Sequence, residues 1–200
     1  MATSTSPIGA FWEWFTQNAT RIREAGPEGL SRGVTQELGS RLKRCHKGLT
    51  WEITPVDPAN WVLCISADGN REVFPAVQEV VAAAPAIPGW SVVAFRQRGL
   101  LDVRLEFADH VLTYEDIWFT AERVGEGLSV TLWIKGLTRE TDPMLSQAAL
   151  ILLDNALGEY DAVTRIVELN RGPLPKNPES KPGLHPLSQL PEMVDFIKGG

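Results

Sequence analysis

Between Leu49 and Lys135 the hydrophobic pattern runs mostly at a period of two, and it returns to a helical period only once on the way. Leu49, Trp51 and Ile53 alternate with Thr50, Glu52 and Thr54, the pattern of a half-buried strand. Trp61 to Ser66 is apolar on both faces and so belongs nearer the middle of a sheet. Trp90 to Phe95 is a third strand, and Leu101, Val103, Leu105 and Phe107 alternate with Asp102, Arg104 and Glu106 in a fourth. Ile117 to Arg123 and Leu128 to Lys135 pair through Val124-Gly125-Glu126-Gly127, a link whose two glycines read as a hairpin. The one helical interval has Pro75 in its first turn and turns Phe74, Val77, Val80, Val81 and Ala84 to the sheet. Strands arriving in runs, with helices outside the runs, predict an α+β fold. The expected form is a mostly antiparallel sheet of about six or seven strands with helices layered on one face.

The helices flank those strands. Thr5-Ser6-Pro7 opens the first, and Ile8, Phe11, Trp12, Phe15, Ala19 and Ile22 recur at helical spacing until Gly26-Pro27 ends it. Trp12 lies on the inward stripe. Trp14 lies off it, either packing on the next helix or standing out as an aromatic anchor for a partner. A second helix is expected from about Glu28 to His46, with Leu30, Val34, Leu38, Leu42 and Cys45 inward. Gly29, Gly33 and Gly39 each weaken it by roughly 1 kcal/mol against alanine. A third spans Pro143 to Leu157, capped by Thr141 or Asp142 and closed by Gly158. Val163 to Leu169 fits a last strand, although Glu159 to Ala162 also fits a continuation of the helix.

From Arg171 the composition changes. Of the 14 prolines, Pro173, Pro175, Pro178, Pro182, Pro186 and Pro191 fall between Arg171 and Pro191, which rules out an ordinary helix or central strand there. The expected organisation is a single domain over 1–170 and a proline-rich extension over 171–200. Within the extension Leu184, Leu187, Leu190, Met193 and Phe196 recur every three residues, and Met193 to Ile197 fits a short terminal helix. Leu174 to Lys181 then reads as a spacer, with Leu190 to Ile197 docking on the domain or on a neighbouring subunit.

A net charge of −6 and an isoelectric point near 5.1 argue against a nucleic-acid binder, whose footprint is basic. Cys45 and Cys64 are too few for a disulfide framework and read as reduced thiols, a single bridge being the alternative. Met1 to Pro7 lacks the features of a secretory signal and no run of apolar residues is long enough to span a bilayer. The cytoplasm is the expected location, with no membrane partner.

The motifs of well-known chemistries are missing. There is no phosphate-binding Gly-Lys-Ser/Thr loop and no Gly-x-Ser-x-Gly elbow, and Gly125-Glu126-Gly127 sits in a hairpin instead of between strand and helix. His46, His110 and His185 form no spaced pair, so neither a metal nor a cofactor is expected. Arg96 and Arg98 at a strand end are either an anion clamp or an ordinary strand end with salt-bridged or solvated side chains. The polar residues that could converge are Asp68, Arg96, Glu159 and Tyr160. If the two strands before Asp68 and Arg96 run parallel through the intervening helix, both residues lie at one edge of the sheet. There they make either a partly exposed ligand site or a structural salt bridge that pins strand ends.

Several segments together resemble an uncharacterised bacterial domain family: Phe11-Trp12-Glu13-Trp14-Phe15, Ile65-Ser66-Ala67-Asp68-Gly69, Phe74-Pro75, Ala84-Pro85, Trp90, Ala94-Phe95-Arg96 and Leu157-Gly158-Glu159-Tyr160-Asp161. The resemblance spans roughly Ile8 to Leu169 and implies a stand-alone bacterial cytosolic domain with no known activity. From the residues, the expected function is non-catalytic binding or regulation through protein contacts, with a protein partner or a homo-oligomer. The alternative is a small hydrolase-like or ligand-modifying enzyme built on the carboxylate and arginine cluster.

Overall fold

The computed structural model describes residues 6–29, 32–107 and 110–199. Leu30, which the sequence places on a buried helix face, and Thr5 of the first helix cap lie outside them. The chain divides into two compact units, Met1–Arg96 and Gln97–Gly200.

In the first unit, α1 (Pro7–Gly29) packs on α2 (Arg32–Cys45). Helix α1 runs through Gly26-Pro27, three residues beyond the expected stop, and α2 begins later than the sequence suggested. The aromatic stripe is buried: Phe11, Trp12, Phe15 and Ile22 are all closed from solvent. The Trp12 indole N–H donates to the Val80 carbonyl at 2.8 Å, and that of Trp90 donates to Ala19 at 3.2 Å, so neither buried donor is left unmet. The sheet has the order β1 (Thr50–Pro55), β2 (Trp61–Ser66), β3 (Trp90–Ala94). Strand β2, apolar on both faces, is central as its composition requires. It pairs antiparallel with β1 and parallel with β3. Helix α3 (Phe74–Ala82) makes the crossover between β2 and β3 and buries Phe74, Val77 and Val80.

The second unit has two sheets. A short ladder joins β4 (Arg104–Phe107) to β5 (His110–Thr113). The larger sheet has the order β8-β7-β6-β9, with β6 (Ile117–Val124), β7 (Gly127–Ile134), β8 (Ile166–Pro173) and β9 (His185–Pro186). Helix α4 (Asp142–Leu157) supplies Leu145, Ala148, Ala149, Leu152, Leu153 and Ala156 to a core shared with Ile117, Phe119, Val130, Leu132 and Ile134. Gly158 takes φ +73 and turns the chain into α5 (Glu159–Arg165). A left-handed turn of this kind suits glycine, which has no Cβ to clash. Residues 171–199 hold the end of β8, a 3-10 turn at Pro178–Ser180, β9 and α6 (Leu190–Gly199). From that stretch Leu187, Leu190 and Val194 are fully buried in the same core. Burial of each stabilises by about 1.5–3 kcal/mol relative to exposure.

The architecture is thus α+β, with six helices and nine strands among the described residues. The single sheet of six or seven strands expected from the sequence is corrected to three smaller sheets. Period-two patterning identifies strands and not their neighbours. Nothing in the alternation of Leu101 to Phe107 says that among the described residues this strand pairs with β5 alone, a strand the sequence reading missed.

Candidate functional site

The strand-end cluster is built by β2 and β3 running parallel. At the end of β2, Ser66 is fully buried, and its hydroxyl oxygen accepts from the Asp68 N–H at 2.9 Å and from Arg96 Nη1 at 3.0 Å. The same Nη1 lies 3.2 Å from Asp68 Oδ1 and 3.8 Å from Glu52 Oε1. The structure therefore brings Asp68 and Arg96 together as an ion pair anchored on a buried serine. Two backbone conformations there are unusual. Asp68 takes φ +51, which a short polar side chain tolerates, but Phe95 takes φ +66, an outlier for a bulky residue. Strain of this kind costs about 1–3 kcal/mol and persists where packing fixes the residue. Phe95 donates its N–H to the Ile65 carbonyl at 2.8 Å, and its ring lies tilted 4.4 Å from that of Phe74.

Glu159 and Tyr160 open α5 in the second unit. Glu159 is 0% exposed, whereas Tyr160 is 44% exposed and its carbonyl accepts from the Thr164 hydroxyl at 2.7 Å. Beside them lies a network that the sequence reading missed. Arg98 Nη2 donates to Asp161 at 2.9 Å, its Nε to the Leu157 carbonyl at 3.1 Å, and both terminal nitrogens reach Asp195. Lys198 Nζ joins at 2.9 Å from Asp161. The one local signal was the i, i+3 spacing of Asp195 and Lys198; the rest of the network joins residues too far apart in sequence to be linked by pattern.

Trp14 is packed, not presented. It is 8% exposed, and the Arg41 guanidinium of α2 sits 5.1 Å from the centre of its ring while pairing with Glu37 at 2.8 Å. Both cysteines are free thiols, and burial pushes that of Cys45 up from its ordinary value. Among the described residues no group of three or more His, Cys, Asp and Glu side chains is placed to hold a metal ion. No helix among them is long and apolar enough to cross a membrane.

Strand β8 is an exposed edge strand. It pairs parallel with β7 on one side and has no strand on the other among the described residues. Six of its eight residues are exposed, including Val167 at 55% and Leu169 at 38%. The opposite edge of the sheet is treated differently, for β6 is covered there by β9. Gly172 sits in β8 where a Cβ would come 2.8 Å from the Trp133 ring, so the strand lies flat on its neighbour. Beside β8 an open cleft of about 490 Å³ is lined by Leu137, Thr138, Arg139, Asp142 and residues 169–173. Inside it Arg171 pairs with Asp142 through two hydrogen bonds, of 2.6 and 3.1 Å. That pairing, with help from the Ser146 hydroxyl, holds the Asp142 carboxyl down to about 2. Sequence reading had ended this strand at Leu169 and assigned Arg171-Gly172-Pro173 to the tail, which concealed its length.

No protein-family model, curated protein or solved structure matches the chain.

Proposed function

We propose that this chain is a non-catalytic binding or regulatory module that acts through protein contacts, with the free edge of β8 as its contact surface. The observation that carries this reading is an eight-residue strand, exposed along nearly its whole length, whose outer edge is unpaired among the described residues. Such an edge offers a row of N–H and C=O groups to another extended chain, the basis of recognition by strand addition. Val167 and Leu169 add apolar surface, and the neighbouring cleft offers room for a side chain. The resemblance to a bacterial domain family without known activity belongs to the same proposal.

The test is capture from a native bacterial lysate, with bound proteins identified by mass spectrometry, using the natural chain and Leu169→Pro. Proline on a free edge removes an outward donor without breaking the ladder to β7. Proteins retained by the natural chain and lost by the variant are the expected result. Capture that is the same with both would overturn the assignment of β8.

A second reading has its own support in the left-handed Phe95 beside Arg96, because backbone strain clusters at ligand and catalytic sites. It makes Asp68 and Arg96 the working groups of a hydrolase-like or ligand-modifying site. Asp68→Asn and Arg96→Gln distinguish it from a structural pair. Retained stability with a lost ligand favours a site, and lost stability alone favours a pair.

A further inference from the structure

We infer that the face of the larger sheet turned away from α4 binds a neutral hexose chain, with one sugar ring stacked on Trp133. This face is distinct from the outer edge of β8, and the inference does not rest on the protein-contact reading.

The alternation of β7 makes the face. Leu128, Val130, Leu132 and Ile134 enter the core, so Ser129, Thr131 and Trp133 point the other way, each half-buried. Register extends that parity to the neighbouring strands, and from Ser129 to Ile134 the pairing with Glu168 to Pro173 is unbroken. The first row across the four strands is Pro186, Trp118, Trp133 and Gly172. Behind it come Thr120, Thr131 and Asn170, and then Glu122, Ser129 and Glu168.

The Trp133 indole lies across its own strand. On the β6 side its Nε1 donates to the Thr120 hydroxyl at 3.2 Å. On the β8 side its Cζ3 and Cε3 stand 2.8 and 3.0 Å from where a Gly172 Cβ would be, so the ring occupies the space that a side chain there would fill. It is pinned from both sides, and part of it is open to solvent. Trp118, directly opposite, is half-buried too, and its indole N–H, which no described residue accepts, is not buried.

Composition then selects the ligand. An indole face offers π density to the C–H groups of a sugar ring, and the polar side chains beside it offer hydrogen bonds to the hydroxyls. Asn170 and Glu168 are exposed planar groups, a shape that meets two neighbouring hydroxyls at once. Hydrogen bonds from Ser129 and then Asn170 hold the Glu168 carboxyl below its ordinary value, so at neutral pH it accepts. Other occupants lack this match. Protein interfaces are depleted in serine and glutamate, which fill the third row. A nucleic acid stacks on tryptophan but needs cations for its phosphates, and the three rows hold Glu122 and Glu168 and no lysine or arginine. A neutral polyol meets both conditions.

The experiment is affinity electrophoresis of the full chain in native gels cast with glycogen, with mixed-linkage β-glucan or with galactomannan. A fluorescence titration with a hexasaccharide cut from the retarding polymer follows. The natural chain should be retarded in at least one gel, and the hexasaccharide should shift its tryptophan emission. Trp133→Leu keeps an apolar cover over Gly172 and removes the ring, and it should weaken binding about tenfold, the loss of one stacked ring. Asn170→Ala should weaken binding by a smaller factor and leave the urea midpoint nearly unchanged. If Trp133→Leu melts early, Asn170→Ala decides alone, and an unchanged affinity there counts against the site. A chain that migrates alike in every gel overturns the proposal, as does retardation indifferent to both substitutions. If no gel retards the chain while both substitutions release proteins captured from lysate, the face belongs to a protein and the saccharide falls.

Discussion

Arg98 grips the Asp195 carboxylate with both ends of its guanidinium, Nη1 to Oδ2 at 2.7 Å and Nη2 to Oδ1 at 2.8 Å. Since the same side chain reaches Asp161 and the Leu157 carbonyl, one fork ties α6 to α5 and to the end of α4. Replacing it by methionine keeps the length and removes the fork. Arg98→Met should destabilise the second unit by about 1–2 kcal/mol, a range kept low because the group is partly exposed. Lysine should not restore it, for a single ammonium cannot span both oxygens. Thermal melts together with amide exchange across α6 measure this. No change in either would remove the clamp from the account of the fold.

Acid should loosen the same unit. The Arg98 hydrogen bonds hold Asp195 below the ordinary carboxylate range, against a smaller upward push from burial. Arg171 does the same to Asp142, bringing it to about 2. A carboxyl lowered by folding contributes stability that is fully present above its unfolded value, near 3.8, and is lost as pH falls through the folded value. Urea midpoints should therefore decline between about pH 4 and pH 2. Asp142→Asn should flatten part of that decline, and an unaltered slope would count against the Arg171 pair.

Trp12→Ala should destabilise by about 3–5 kcal/mol, the usual result of truncating a buried large aromatic. Its ring meets Phe11 at 4.8 Å edge-on, and its N–H bond to Val80 would go with it. Trp14 should also be shielded, being covered by Arg41. Acrylamide quenching in chains that retain only Trp12 or only Trp14 checks both. Free quenching of Trp14 would restore it as an exposed anchor.

Leu190→Ala should destabilise by about 2–5 kcal/mol, as expected for a fully buried leucine. Truncation after Pro186 should have a larger effect, because it removes Leu187, Leu190 and Val194 from one core. Limited proteolysis should cut first within 173–183, where most side chains are exposed. Resistance there, or a truncated chain that melts like the whole one, would contradict this picture.

Periodicity made the elements legible where one face is buried, and an unbroken apolar run did so where both are. The α1 stripe, β2 and the β6–β7 hairpin lie where Phe11 to Ile22, Trp61 to Ser66 and Gly125 with Gly127 indicated. Asp68 with Arg96 was legible too, because a crossover through a single short helix leaves two strand ends side by side. Arg98 with Asp195 was not, since no local pattern links residues brought together only by the closing of a core. The edge of β8 was hidden for a different reason. Arg171, Gly172 and Pro173 have poor strand propensity, and their place in the ladder is set by Trp133 and Ile134 on the neighbouring strand.

The pairing of Phe119 with His185, and the burial of Val194 in the same core as Leu152, also bear on the order of assembly. In the first unit β1 and β2 meet across a short turn, so their contacts form early. The second unit must close a long stretch of chain before its core rewards the search, which makes it the slower folder. One late event then does two things, filling the core and sealing the β6 side of the sheet. Until it happens the nascent sheet is open on both flanks, and in that interval the chain is most exposed to sticking to its neighbours.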